Sequence, residues 1–177
     1  MQEKLAPYKV RVLEEGLCGR TTIYEDLYRE NRNGLRSLPE ILETSYPIDG
    51  AVIMLGTNDC KSCYKSIPYK IAKGIGMCVD ECLKYVPPDK ILIISPIYLG
   101  NEVWKSEFDP EFDKNSVTTA KQLFREYKKV AMEKGTNVIS AADYAQPSDA
   151  DREHLTVEGH KVMAEAVFNT LLSTKMV

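Results

Sequence analysis

One segment of the sequence carries side chains suited to acid–base catalysis. At residues 151–160, a carboxylate stands three positions before a histidine, so Asp151 can accept a hydrogen bond from one ring nitrogen of His154. The other ring nitrogen is then free to act as a general base. Acidic residues also stabilise a helix entrance through the helix dipole, and for this segment taken alone that explanation is the better one.

A second segment, G-T-N-D at residues 56–59, is suited to stabilising a negative charge. Gly56 lets the backbone turn sharply after a strand, and the side-chain amide of Asn58 can donate to an oxyanion. Such turn residues often follow strands without any function, so this segment alone is also weak evidence.

The elements that must position these segments alternate along the chain. Apolar patterns predict strands at residues 8–13, 51–55, 91–94 and 137–142. Helical spacing predicts helices at residues 37–44, 68–85, 117–134 and 157–174. Strands separated by helices indicate a three-layer α/β/α sandwich with a parallel sheet. Ligands of such sheets bind beyond the carboxyl ends of the strands, and both segments are predicted to lie there.

The strand patterns differ from one another. In residues 8–13, Val10 and Val12 alternate with Lys9 and Arg11, as in a strand with one solvated face. Residues 51–55 and 91–94 are continuous apolar runs, which are typical of strands covered on both faces. Residues 137–142 are mixed and suit an edge strand.

The composition is that of one ordinary globular domain covering residues 1–177. The net charge is −3 and the basic residues are scattered, so nucleic acid is not an expected partner. No apolar run approaches the roughly 20 residues that span a bilayer, so no membrane association is expected. Five cysteines and the absence of a visible secretory signal favour a cytoplasmic protein.

The cysteines raise the question of a metal. Cys60 and Cys63 have ligand-like spacing, and Cys78 and Cys82 lie one helical turn apart. The second pair fits a buried helix stripe better, because free cysteine is among the most buried residue types. We therefore expect no metal and no cofactor.

Taken together, the two segments resemble blocks of a known family. G-T-N-D at residues 56–59 and D-x-x-H at residues 151–154, in this order, resemble the third and fifth blocks of the SGNH (GDSL) hydrolases. Residues 14–22 look like the second block, with Gly19 as the matching glycine. G-R-T-T at residues 19–22 followed by N-R-N-G-L at residues 31–35 is similar to the arylesterase-like bacterial branch of lipases and acylhydrolases.

The resemblance implies a carboxylic ester hydrolase that acts by serine acyl transfer on small short-chain or aryl esters. His154 would be the general base and Asp151 its orienting partner. The backbone N–H of Gly19 and the amide of Asn58 would be two of three oxyanion donors. Tyr98 and Trp104, in and near the loop that follows residues 91–94, are candidate pocket walls.

The family's first block, a G-D-S motif that supplies the nucleophile, has no match in the sequence. Residues 8–13 would then match the family's second strand, and the chain would be N-terminally truncated relative to the family. Ser95 and Ser62 are the surrogate nucleophiles to consider, but the other blocks are placed around the missing loop. We therefore expect an inactive or impaired esterase. The alternatives are a non-catalytic binding or assembly protein that retains the esterase pocket and, more distantly, a flavodoxin-like signalling domain.

The missing block also has a structural consequence. In the family's strand order, 2-1-3-4-5, the missing strand lies between the second and third strands. A vacancy there leaves unpaired backbone groups on two strand edges. We expect residues 8–13 to shift inward, another chain to fill the slot, or the open edge to drive homo-oligomer formation.

Overall fold

Three parallel strands form the centre of the molecule in the order β1-β2-β3, in a computed structural model that describes residues 1–177. Five helices surround the sheet. In chain order the elements are α1 (Gln2–Leu5), α2 (Gly34–Ser45), β1 (Ala51–Ile53), α3 (Pro68–Cys82), β2 (Ile91–Ser95), α4 (Lys114–Lys134), β3 (Asn137–Ser140) and α5 (Val157–Ser173).

The predicted parallel sheet is confirmed. Ala51 of β1 pairs with Ile91 of β2, and Leu92 of β2 pairs with Asn137 of β3, both in parallel. Three of the four predicted strands are present, although the first of them, β1, ends two residues before the predicted boundary at residue 55.

Alternation along β2 divides the core into two clusters, one on each face of the sheet. Ile91 and Ile93 belong to a cluster of 21 buried residues that includes side chains of α3 and α4. Leu92 and Ile94 belong to a smaller cluster of 10 buried residues that includes side chains of α1 and α5. Helices therefore cover the sheet on both faces, and the three-layer α/β/α architecture is confirmed.

The four predicted helices are also present. Asn33 caps α2, which begins earlier than predicted, by accepting a hydrogen bond from the backbone N–H of Arg36. Gly135 ends α4 in the left-handed conformation, and the Thr156 hydroxyl caps α5 by accepting from the backbone N–H of Gly159. None of the helices combines the length and apolar character needed to cross a bilayer.

The predicted strand at residues 8–13 is wrong. Residues 6–8 form a short 3₁₀ turn, and residues 9–17 have no regular secondary structure. The predicted alternation of buried and exposed side chains is nevertheless present. Val10 and Val12 pack against the smaller cluster, while Arg11 is exposed. A strand needs a neighbour to pair with, and here the Gln2 side chain takes that role: it donates to Val10 O at 2.9 Å and accepts from Val12 N at 2.7 Å.

Of the three alternatives expected for the missing strand, the inward shift of residues 8–13 does not occur. Strand β1 pairs with β2 on one side, and no strand lies along its other edge. Val52 and Met54 point to the α5 side of the sheet and are 47% and 40% exposed. The expectation that residues 51–55 are covered on both faces is therefore wrong for this face, where both side chains remain exposed.

Candidate active site

The loop that follows β1 depends on a glycine. Gly56 has φ +129°, and a Cβ atom there would lie 2.3 Å from the hydroxyl oxygen of Tyr127. That hydroxyl donates a 2.8 Å hydrogen bond to Leu55 O, so α4 holds the end of β1 in place. Asn58 then begins a short 3₁₀ turn that ends at Cys60.

The two predicted oxyanion donors lie on segments that are hydrogen-bonded to each other. The amide of Asn58 donates to the carbonyl oxygen of Arg20 at 3.2 Å, which brings it next to Gly19. Gly19 is buried with φ +81°, and a Cβ atom would lie 2.9 Å from the guanidinium group of Arg29. Segments 38 residues apart in the sequence therefore form one corner of the site.

A buried carboxylate ties these two segments together. Asp59 is fully buried, and both of its oxygens accept from the backbone N–H of Thr22 at 3.0 Å. The hydroxyl of Thr22 also donates to Asp59. Burial raises the pKa of Asp59 to about 6, although the hydrogen bonds from Thr22 oppose that shift. The role of Asp59 was not predicted from the sequence, where its place directly after Asn58 is the only signal.

The predicted histidine–carboxylate pair is formed. Nδ1 of His154 lies 2.9 Å from Oδ2 of Asp151. The other oxygen of Asp151 accepts from the backbone N–H of Glu153, the backbone N–H of His154 and the hydroxyl of Ser148 at 2.9–3.0 Å. Burial would raise the pKa of Asp151, but these donors lower it well below its usual range. Asp151 is therefore a carboxylate at any ordinary pH.

A second carboxyl group flanks the same ring. The side chain of Glu153 is only 10% exposed, and its Oε2 lies 3.8 Å from Nδ1 of His154. Burial raises the pKa of Glu153, while the charge of a protonated His154 would lower it. In the sequence Glu153 is one of several acidic residues at a helix entrance, and its burial was not predicted because it depends on segments distant in the chain.

Gly19, Asn58 and His154 meet at one groove with a volume of about 890 Å³. The groove is lined by residues 52–55, at the end of β1, and by Leu13 and residues 15–20. Its acidic, basic and histidine lining residues are Glu15, Arg20, Arg29, Lys61, Asp109, Glu111, Glu153, His154 and His160.

Tyr98 and Trp104 are not among the residues that line this groove. Trp104 packs against the larger core cluster, because Leu99 and Val103 of the same loop are buried there and draw the loop inward. The prediction that Tyr98 and Trp104 form the pocket walls is corrected accordingly. Further along this loop, Glu111 reaches the groove and pairs with Lys61.

The groove contains no serine. Ser95 is 2% exposed within β2, and the Ser62 hydroxyl donates to Glu111 O at 2.8 Å. Neither of the two surrogate nucleophiles considered from the sequence therefore lies with His154. The hydroxyl and thiol side chains that do line the groove belong to Thr57, Cys18 and Cys78.

The cysteines do not converge on one point. The Cys60 thiol is buried and donates to Gly56 O at 3.3 Å, whereas Cys63 is exposed. Cys78 and Cys82 belong to the larger core cluster, where burial raises the pKa of both thiols. Three or more Cys, His, Asp or Glu side chains do not come together anywhere in the molecule in an arrangement that could hold a metal ion.

Comparisons with known proteins are informative at the level of structure. No protein-family model and no curated protein sequence matches the chain. A solved carbohydrate acetylesterase from Sinorhizobium meliloti is 30% identical, with a TM-score of 0.83 over 91% of this chain and 77% of its own.

Two further solved structures are also similar to this chain over most of its length. The aryl esterase of M. smegmatis is 26% identical, with a TM-score of 0.84 over 93% of this chain and 79% of its own. A lipase/acylhydrolase from Enterococcus faecalis, 19% identical with a TM-score of 0.70 over 96% of this chain and 81% of its own, shares the fold.

Proposed function

The chain belongs to the SGNH (GDSL) family of ester hydrolases, and we propose that its groove is an ester site that holds every catalytic group except the nucleophile. The observation that carries the proposal is the meeting of Gly19, Asn58 and the His154–Asp151 pair at one groove that contains no serine. The esterase lineage follows from the comparisons, and the roles of the individual residues are our proposal.

In this proposal His154 is the general base. Its Nδ1 faces Asp151, so Nε2 is the nitrogen available for proton transfer. Asp151 stays ionised, because its hydrogen bonds lower its pKa, and it therefore stabilises the imidazolium that forms when His154 takes up a proton.

Asn58 and Gly19 are the proposed oxyanion donors. One N–H of the Asn58 amide is used by Arg20 O, and the second is free for the developing oxyanion. The left-handed backbone at Gly19 sets the direction of its own N–H. Loss of one such donor typically slows turnover by about a hundred- to a thousand-fold.

The reaction itself requires a hydroxyl group beside Nε2. The hydroxyl oxygen bonds to the ester carbonyl carbon while its proton moves to His154, and the carbonyl oxygen becomes the oxyanion. The bond to the alcohol then breaks and the alcohol takes the proton from His154. A water molecule, activated by the same nitrogen, releases the acid and restores the hydroxyl.

We expect this chain alone to hydrolyse esters about 10⁶-fold more slowly than a complete serine esterase, because loss of a serine nucleophile costs about that factor in kcat. A fluorophosphonate probe should not label it, and hydrolysis of p-nitrophenyl acetate should be the same for the wild type and His154→Ala. A serine labelled by the probe, or a burst of nitrophenol that His154→Ala abolishes, would contradict the proposal.

A second function is supported by the same absence of serine: a non-catalytic protein that binds ester-like ligands in the retained pocket. Titration calorimetry with a short-chain methyl ketone, which offers a carbonyl but no leaving group, tests this. Binding that Asn58→Ala weakens about tenfold would favour ligand binding through the oxyanion corner. Equal affinity for both proteins would argue against it.

A further inference from the structure

We propose that the groove accepts esters whose alcohol portion carries a protonated amine, and that the carboxylate of Glu153 binds this cation beside His154. The inference rests on the proposed function, because it takes the groove as an ester site with His154 as its base. It adds a substrate class to that function, the short-chain esters of small amino alcohols.

Glu153 is a buried acidic residue without a hydrogen-bond partner. Its side chain is only 10% exposed, and the residue lines the groove. No N–H or O–H of the protein donates to its carboxylate, and its one ionic contact is Nδ1 of His154 at 3.8 Å. That nitrogen already lies 2.9 Å from Oδ2 of Asp151. A buried carboxylate is costly unless it is paired or hydrogen-bonded, so a ligand in the groove can supply what Glu153 lacks.

The surroundings of Glu153 favour a cation over a neutral hydrogen-bond donor. Burial raises the pKa of this carboxyl group, and the charges of Asp109 and Asp151 raise it further. Asp109 lines the groove as well. Lys61 is also nearby, but it forms an ion pair with Glu111 and its side chain is only 5% exposed. Acidic side chains therefore outnumber basic ones at this end of the groove, and a ligand cation would favour their charged forms.

The two arginines of the groove lie at its other end. Arg29 forms an ion pair with Asp26 at 2.7 Å, and its guanidinium group lies directly beside Gly19. Arg20 follows Gly19 in the sequence and donates to Glu15 O. A positively charged group on a ligand is therefore repelled at the Gly19 end and attracted at the opposite end. This difference orients a ligand that carries one cation.

The proposed chemistry assigns the cation to the alcohol portion of the ester. The carbonyl oxygen points to the corner formed by Gly19 and Asn58, while His154 gives its proton to the departing alcohol. The alcohol portion must therefore lie on the His154 side of the carbonyl carbon, and Glu153 is next to His154. An amine on the alcohol portion is thus closer to Glu153 than an amine on the acyl portion.

The test compares two ligands of nearly the same shape. Dimethylaminoethyl acetate carries a protonated nitrogen at neutral pH, and isoamyl acetate has a CH group in its place. Affinities are measured by NMR titration of the isotope-labelled protein, in which the amides of Glu153 and His154 should shift. We expect the amine ester to bind about tenfold more tightly, an effect between those of exposed and buried ion pairs. Added salt should reduce this preference, because it screens the charges.

A charge-removing variant identifies the group responsible. Glu153→Gln keeps the size of the side chain, and it should weaken binding of the amine ester about tenfold while affinity for isoamyl acetate stays nearly the same. Glu158→Gln is the matched control, because Glu158 lies near the start of α5, is 74% exposed and is not part of the groove lining. If Glu153→Gln fails to fold, the ligand pair and its salt dependence in the wild type still decide the question.

Three results would overturn the inference. The first is equal affinity of the wild type for the two ligands. The second is a preference for the amine ester that Glu153→Gln retains. The third is tighter binding of monomethyl succinate, an ester with a carboxylate, than of the amine ester, because the arginines would then determine which charge the groove accepts.

The outcome also separates this inference from the proposed function. Equal affinity for the two esters, together with ketone binding that Asn58→Ala weakens, would remove the cation site and leave the ester site standing. A preference that depends on Glu153, together with ketone binding that Asn58→Ala leaves unchanged, would support the cation site and count against the oxyanion corner.

Discussion

Asp59 is a buried titratable residue at the contact between the segments that carry Gly19 and Asn58. Its carboxylate is fully buried and accepts three hydrogen bonds from Thr22, so it fixes the segment that begins at Gly19 to the segment that contains Asn58. Burial nevertheless disfavours the charged form and raises its pKa to about 6. The native protein therefore binds a proton here more readily than the unfolded chain does.

This difference predicts how stability depends on pH. Between about pH 4 and pH 6 the native state holds the Asp59 proton and the unfolded state has released it, so the contribution of Asp59 to stability falls as the pH rises. Above pH 6 the contribution lost is on the order of 3 kcal/mol. Urea unfolding of the wild type and Asp59→Asn from pH 4 to pH 7 should show this difference. Parallel stability curves for the two proteins would contradict the prediction.

Gly56 is the second residue at which a single side chain should matter. An alanine there would combine an unfavourable φ of +129° with a Cβ atom 2.3 Å from the hydroxyl oxygen of Tyr127. We expect Gly56→Ala to destabilise the protein by roughly 2–4 kcal/mol. Gly16→Ala is the control, because a Cβ at Gly16 meets nothing within 4 Å, and it should change stability by less than about 0.5 kcal/mol. Similar thermal midpoints for the two variants would show that the close contact at Gly56 is relieved.

At this scale the sequence predicted local pairs better than distant ones. The spacing of Asp151 and His154 was sufficient to predict their hydrogen bond, because the two residues share one loop. Thr22 and Asp59 are 37 residues apart, and their contact depends on the packing of two separate loops. No local pattern encodes that packing. The burial of Glu153 was missed for the same reason.

At the scale of elements, one hydrogen bond connects α4 to the end of β1. Tyr127 is fully buried, and its hydroxyl satisfies the carbonyl oxygen of Leu55 directly before the Gly56 turn. Tyr127→Phe would keep the ring but leave that carbonyl without this donor. We expect a loss of about 1–3 kcal/mol in denaturant unfolding. Tyr69→Phe removes a hydroxyl from a 63% exposed side chain and should be neutral; an equal loss in both variants would refute the role assigned to Tyr127.

The elements that pack or pair with a neighbouring element were predictable from the sequence. The predicted strand at residues 8–13, which has no neighbouring strand, was not. The apolar runs of β1 and β2 pair with each other. Helix α4 ends at the predicted residue 134, and α5 begins at the predicted residue 157. The pattern of residues 8–13 correctly predicted which side chains face the core. It could not predict a strand, because pairing depends on a neighbour that these residues do not have in this fold.

At the scale of the whole molecule, the sheet separates two cores of unequal size. The cluster on the α3 and α4 side holds 21 buried residues, and the cluster on the α1 and α5 side holds 10. The smaller cluster lies on the side where Val52 and Met54 are exposed. Regions with fewer buried apolar contacts open at lower free energy, so the two sides should not unfold locally with equal ease.

Hydrogen exchange followed by mass spectrometry can measure this asymmetry. Peptides from residues 1–12 and from α5 should exchange through partial opening, while the amides of α3, α4 and β2 should exchange only with global unfolding. Leu171→Ala removes buried apolar volume from the smaller cluster. It should speed hydrogen exchange in α5, while the amides of α3 should still exchange only with global unfolding. If α5 and α3 exchange with the same free energy in both proteins, the two clusters form one cooperative unit. The residues at the open edge of β1 would then unfold together with both clusters, and not with the smaller cluster alone.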